Sequence, residues 1–383
     1  MKKRVLLQGC FILLLALAGC STTSPQSTAP ATQKQQAAKP QPAPKREKAF
    51  ETILAAARPG HPRQSEGDVI ALKDGTLLAA WTDFSGSADH APATIAAATS
   101  KDGGHTWSAP YELQPNIGQQ NVMSASFLRT QTGKLLFFFL VKNSDQDMKV
   151  VVRSSTNEAK SWSAPIAVTG LPGYHIMNNA RAVQLKMKRI LCPVSFYKPN
   201  APSGNHLRAT MYGSDDDGKT WLRGYIVVDC PGRGAMEPGV VELTNKIVLQ
   251  VIRTQAGQIW TASSPDNASS WTKPKPSGIV SPEAPSTIGR LPTGELVLIY
   301  NPSVEHGISG MASRTPLACS ISKDEGATWS TPKLIESDLT HTYSYVSLTF
   351  VGDRALLTYY ISEKGIGQAS LKFKSIPVSW FTE

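Results

Sequence analysis

One eight-residue pattern, S-x-D-x-G-x-T-W, returns along this chain as SKDGGHTW (100–107), SDDDGKTW (214–221) and SKDEGATW (322–329). Worn copies, STNEAKSW (155–162) and SPDNASSW (264–271), fill the gaps. The closing tryptophans, Trp107, Trp162, Trp221, Trp271 and Trp329, fall 50 to 59 residues apart. A calcium loop or a catalytic acid cluster has no reason to recur at that period, whereas a turn closing each unit of a repeat fold does. The residue types suit such a turn. An Asp or Asn side chain accepts hydrogen bonds from its own loop's N–H groups, a Gly takes the φ > 0 position, and the Trp covers an apolar layer between neighbouring units.

Between the boxes run six alternating apolar stretches, VIALKDGTLLAAW, FLRTQTGKLLFFFLV, AVQLKMKRILCPVSF, VVELTNKIVLQVIR, IGRLPTGELVLIY and SLTFVGDRALLTYY. Each reads as two strands about a short turn, and no segment from residue 50 onward has a helical period. Six hairpins and a unit of some 55 residues predict an all-β fold, a six-bladed β-propeller of four-stranded blades over 50–383. The sixth blade is expected to draw strands from both chain ends. A parallel β-helix fits less well, because its repeats are much shorter.

The first fifty residues are of another kind. MKKRVLLQGCFILLLALAGC joins a basic start (Lys2, Lys3, Arg4) to an apolar run and Leu17-Ala18-Gly19-Cys20. The start predicts an export signal over 1–19, and Leu-Ala-Gly-Cys resembles a bacterial lipobox, which implies cleavage before a lipidated Cys20 and anchoring rather than spanning. Ser21, not aspartate, follows that cysteine, which points to the outer membrane of a bacterial envelope. Residues up to 49 are rich in Ser, Thr, Pro, Gln, Ala and Lys, the composition of a tether. The formal charge of +10 gathers here: residues 1–50 hold eight Lys/Arg against one Asp/Glu, leaving the rest nearly balanced. No nucleic-acid partner is therefore expected. Cys192, Cys230 and Cys319 read as buried thiols, with one disulfide open to them. A P-loop, G-x-G-x-x-G, H-E-x-x-H and G-x-S-x-G are all missing, and no spacing calls for a metal or another cofactor.

The boxes resemble the Asp-boxes of the sialidase (neuraminidase) superfamily, also called BNR repeats, over essentially the whole of 50–383. The resemblance implies hydrolysis, with retention, of a terminal sialic acid or related acidic sugar by a tyrosine nucleophile. Such chemistry has a clear logic. The anomeric carbon already bears a carboxylate, which would repel a second one but not a neutral phenol. A glutamate then takes the phenol proton, an aspartic acid protonates the leaving oxygen, and arginines grip the substrate carboxylate.

Residue by residue, the resemblance implies Glu237 as base and Arg253 as a clamp arginine, because MEPGVVELTNKIVLQVIR opens on the one and ends on the other. A hairpin brings those two ends together. Arg314, in SRTPLACSISKDEGATW, resembles a further clamp residue. HTYSYVSL offers two nucleophiles, Tyr345 and Tyr343, with Tyr345 favoured by strand alignment. Asp89, in the loop TDFSGSADHAPAT, is the preferred acid and Asp83 the alternative. The chain departs from the family at its first blade, where HPRQSEGD stands in place of an Arg-Ile-Pro motif. Arg63 is displaced by about two residues, and Glu66 adds a carboxylate that would repel an acidic sugar. Three readings stay open: Arg63 bends in, another arginine such as Arg181 substitutes, or the substrate is not a typical sialoside. Arg181 forms a polar cluster with His175, Asn178 and Asn179 that is expected to line the pocket. A monomer acting on acidic glycans is expected, the alternative being a surface propeller that captures glycans without cleaving them.

Overall fold

The computed structural model describes residues 48–200 and 206–383. The expected export signal, the lipidated Cys20 and nearly all of the tether lie outside the described residues. Strands dominate. Two short 3-10 turns, Met311–Ser313 and Val378–Phe381, are the helical elements among the described residues.

Four of the five sheets contain one meander each. In the first, Arg63–Ala71, Leu77–Phe84, Ala93–Ser100 and Tyr111–Gln114 lie side by side in chain order. Two more repeat that order: Met236–Glu242, Val248–Arg253, Gln258–Ser264 and Lys275–Val280, then Thr287–Arg290, Leu296–Tyr300, Leu317–Ser322 and Lys333–Glu336. The largest sheet has nine strands. It comprises a meander from Asn121–Arg129 to Ile166–Ala167 and a second from Tyr174–Ile176 to Leu222–Arg223. These are joined by a parallel pairing of Tyr174 with Met148. The last sheet holds His341–Ser344, Thr349–Val351, Arg354–Glu363 and Ser370–Pro377, and its outer strand is Phe50–Ala55. Phe50 stands opposite Ser375, so the start and end of the described chain meet in one sheet, as expected.

Packing follows from strand alternation. Ile70, Leu78 and Ala80 face the next meander's Val122, Phe127 and Phe137, while Val69, Leu77, Ala79 and Trp81 face Leu356, Leu371 and Phe373 on the other side. Each sheet is thus buried on both faces, which explains near-continuous apolar runs such as LLFFFLV. The first strands of successive meanders converge. One cavity is lined by Asp68, Phe127, Val183, Val240, Thr287 and Thr349.

The boxes form the turn between the third and fourth strands, and all five use the same bonds. In the first, Ser100 Oγ accepts from Gly104 N at 2.8 Å and donates to Asp102 Oδ1 at 2.7 Å. Asp102 in turn accepts from Thr106 N at 2.9 Å. Ser214–Asp216–Thr220 and Ser322–Asp324–Thr328 repeat this, as do the worn Ser155–Asn157–Ser161 and Ser264–Asp266–Ser270. The indoles seal against neighbours: Trp107 packs edge-on to Phe373 at 5.2 Å and Trp221 to Phe138 at 5.6 Å. Cys192, Cys230 and Cys319 are free and buried.

Candidate active site

The site is built on a repeated irregularity. Where a first strand nears the centre, one residue takes a left-handed backbone: Glu66 (φ 56°), Ser124 (63°), Ala180 (53°), Glu237 (39°) and Tyr345 (59°). Three of these sit at breaks in strand register, between Ser65 and Asp68, Met123 and Ser126, and Met236 and Gly239. Such a bulge re-aims a side chain that regular alternation would send into a sheet interface. Its freed N–H is caught by a hydroxyl of the preceding meander's second strand: Ser124 N donates to Thr82 Oγ1 at 2.9 Å, and Glu237 N to Ser195 Oγ at 2.6 Å.

Around Tyr345 the chain gathers charges from distant strands. Arg253 Nη1 donates to Glu237 Oε2 at 2.6 Å, its Nη2 lies 3.5 Å from Glu283, and both members of the Glu237–Arg253 pair are largely buried. The Arg314 guanidinium lies 5.5 Å from the Tyr345 ring centroid, and its Nη1 donates to Tyr360 Oη at 3.0 Å. Arg314 is buried yet has no carboxylate partner among the described residues, and neither its Nε nor that of Arg253 finds an acceptor there. Burial, then the Glu237 charge, pushes the Tyr345 phenol up from its ordinary value, with Arg314 and Arg253 acting against them. The phenol is therefore neutral at physiological pH unless a base takes its proton.

Arg63 completes the ring of charges. Its Nε donates to Ser65 Oγ at 3.1 Å, Nη2 to Glu66 Oε1 at 2.7 Å and Nη1 to Asp89 Oδ1 at 2.5 Å, while its Cζ lies 4.3 Å above the Phe84 ring. Burial works against the charge on Arg63, but Glu66 and Asp89 outweigh it and hold the proton more tightly than usual. Burial raises the Glu66 carboxyl above the ordinary range, helped by the Asp89 and Glu237 charges and opposed by Arg63 and Ser124. Asp89 shifts the other way. Partial desolvation would raise it, but Arg63, then Lys142 and Arg314, hold it below the usual carboxylate range.

The remaining sequence candidates lie behind or beside this ring. Asn179 Nδ2 donates to Gly67 O at 2.7 Å and Tyr345 O at 2.9 Å, so it ties two first strands together instead of facing a ligand. Arg181 is buried beneath the centre, donating to Ser286 O at 2.9 Å and Thr287 Oγ1 at 3.2 Å, with Nε unpartnered. Burial lowers its pKa to about 10, although Glu237, Tyr345 and Asp68 favour its charge. Its guanidinium is thus held by Ser286 and Thr287, whereas Arg63 is the arginine paired with Glu66 and Asp89. His175 departs from expectation. Its ring stacks on Phe196 at 5.7 Å and meets Tyr212 edge-on, because it belongs to a strand paired along Ser195 to Tyr197. Tyr343 is core, edge-on to Tyr359 with its hydroxyl donating to Asp338 O, and Asp83 is spent on His61 and Gln64.

Sequence reasoning missed Glu283, Tyr360, Lys142, Tyr174 and Asn121 as neighbours of the site, and it took Glu66 for an obstacle rather than the partner of Arg63. A charged residue at the end of a strand otherwise apolar, such as Lys142 after LLFFFLV, was the available signal. Among the described residues no group of three or more His, Cys, Asp or Glu side chains is placed to hold a metal ion.

The sequence matches the BNR repeat-like domain family over residues 71–357. No curated protein matches it. Among solved structures the chain is similar to a protein of unknown function from Dyadobacter fermentans, with TM-score 0.70, 19% identity, and coverage of 86% of this chain and 99% of that one. It is similar to the NanB sialidase of Streptococcus pneumoniae, with TM-score 0.69, 13% identity, and coverage of 86% and 70%. A third is Trypanosoma rangeli sialidase in complex with sialic acid, with TM-score 0.68, 13% identity, and coverage of 86% and 59%. At these identities the likeness is one of fold, and function has to be argued from the site.

Proposed function

From the premise that this chain belongs to the sialidase/BNR-repeat superfamily, we propose that it is a six-bladed propeller and a retaining exo-glycosidase that removes a terminal sialic acid or related acidic sugar from glycans. The blade count is supported by the single parallel pairing inside the nine-stranded sheet, which divides it into two blades like the other four. Arg314 carries the functional reading. A buried guanidinium with no carboxylate partner among the described residues is costly unless an anion completes it, and this one lies over the ring of Tyr345.

In the proposed reaction the sugar carboxylate settles against Arg314 and Arg253. The Tyr345 oxygen attacks the anomeric carbon as Glu237 takes the phenol proton, and the leaving oxygen receives a proton from Asp89. Water, deprotonated by Asp89, then attacks the anomeric carbon and breaks its glycosidic bond to the tyrosyl oxygen, Glu237 returns its proton to the departing phenolate, and the configuration is retained. A lipid on Cys20 would hold the domain at the envelope surface.

Release of free acidic sugar from a fluorogenic sialoside is expected from the full chain, in the membrane fraction unless Cys20 is changed to Ala. Tyr345→Phe should bind the sugar but release none. A second reading, glycan capture without cleavage, draws on the engagement of Arg63 by Glu66 and Asp89. It is preferred if wild type binds sialosides and related acidic glycosides yet turns none over.

A further inference from the structure

All three nitrogens of Arg63 are engaged, but its two carboxylate partners are held very differently. The Glu66 side chain is 4% exposed, and its second oxygen accepts from Ser124 Oγ at 2.7 Å. The Asp89 side chain is 71% exposed, and Arg63 is its one ion-pair partner among the described residues. The peptide of Asp89 is secured separately. Asn121 Nδ2 donates to Asp89 O at 2.9 Å and Ala91 O at 2.8 Å, and Lys142 Nζ lies 3.5 Å from Asp89 O. The loop is therefore tied while the carboxylate can rotate. Glu66 is the resident counter-ion of Arg63, and Nη1 is its exchangeable corner. A sugar carboxylate that meets Arg63 at Nη1, which also donates to Ser87 O at 3.4 Å, takes the place of Asp89 there.

We propose that the substrate's own carboxylate displaces Asp89 from Arg63 and thereby turns Asp89 from an ion-pair partner into the protonated general acid, so that only a sugar anionic at its reacting carbon arms the site. This inference rests on the glycosidase reading above. The charges facing Asp89 decide the direction. Arg63 and Glu66 come from its own sheet, Lys142 and Tyr174 from the nine-stranded sheet, and Arg314 from the sheet beyond Glu283. Before exchange, Arg63 keeps Asp89 ionised. After it, the Arg63 charge is matched by the substrate, and Asp89 faces Glu66 and a second carboxylate without its bond to Nη1. Lys142 remains, but its ammonium is shared with Asp145 at 3.0 Å. Both changes favour proton binding. The proton comes from solvent and passes to the leaving oxygen as the glycosidic C–O bond breaks and the tyrosyl bond forms.

Calorimetric titration of the full chain with 2,3-dehydro-2-deoxy-N-acetylneuraminic acid, in buffers of different ionisation enthalpy near pH 5.5, reads this directly. Wild type should take up a substantial fraction of about one proton per ligand bound, and Asp89→Asn close to none. Binding without uptake in wild type overturns the inference and leaves the glycosidase reading standing, as does uptake that persists in Asp89→Asn. Failure to bind, together with failure to release sugar from sialosides, removes both.

Discussion

At the scale of single residues, Arg181 is a buried cation that interacts electrostatically with Glu237, Tyr345 and Asp68. Its guanidinium is buried beneath Tyr345 and Glu237, near Asp68, whose carboxyl burial raises to about 7. A fixed cation there favours the developing negative charge on the Tyr345 oxygen during attack. Arg181→Met is expected to lower kcat by about 10- to 100-fold with KM changed by less than about 3-fold, and Arg181→Lys to recover part of the loss. A fall in thermal stability with kcat intact would assign Arg181 to packing alone. At this scale the sequence revealed residue types better than directions. Tyr343 and Tyr345 would share a face in a regular strand, and only the left-handed turn at Tyr345 separates a core phenol from one in the site. A bulge of the same kind, at Glu66, makes that carboxylate the partner of Arg63.

At the scale of elements, the box is a spacer as much as a turn. The Gly104 backbone lies at φ 101°, and a Cβ there would stand 2.3 Å from the Phe373 ring. In two worn copies the equivalent residues, Ala159 and Ala268, keep positive φ, so a methyl is tolerated by the backbone where the neighbour leaves room. Gly104→Ala should therefore cost about 2–4 kcal/mol of unfolding free energy, most of it from the ring contact, and lower the urea midpoint. Gly75→Ala, with positive φ and nothing within 4 Å, should cost only about 1 kcal/mol. Equal losses in the two variants would place the whole effect in the backbone. The boxes were legible because their bonds are local: serine, aspartate and threonine lie within six residues of one another. The pairing of Tyr174 with Met148 was not, since a short parallel contact across two meanders leaves no periodicity to read.

For the whole molecule, what matters is which strands meet at the centre. Glu237 and Arg253 are neighbours through one hairpin, a pairing the sequence could suggest. Arg63, Arg314 and Tyr345 are brought together only by the arrangement of sheets, reinforced by Asn179 reaching from one first strand to the carbonyls of Gly67 and Tyr345. The pairing of Phe50–Ala55 into the last sheet belongs to the same scale, and was expected because strands from both chain ends commonly fasten such a ring. If these distant groups form one hydrolytic site, a fluorinated sialic acid that slows the second step should trap the sugar on a single side chain. Peptide mass spectrometry of the full chain after exposure to 2,3-difluorosialic acid is expected to find one adduct, on Tyr345, and none in Tyr345→Phe. An adduct on Tyr343 or Glu237, or sialoside turnover with no adduct at all, would contradict a site centred on Tyr345.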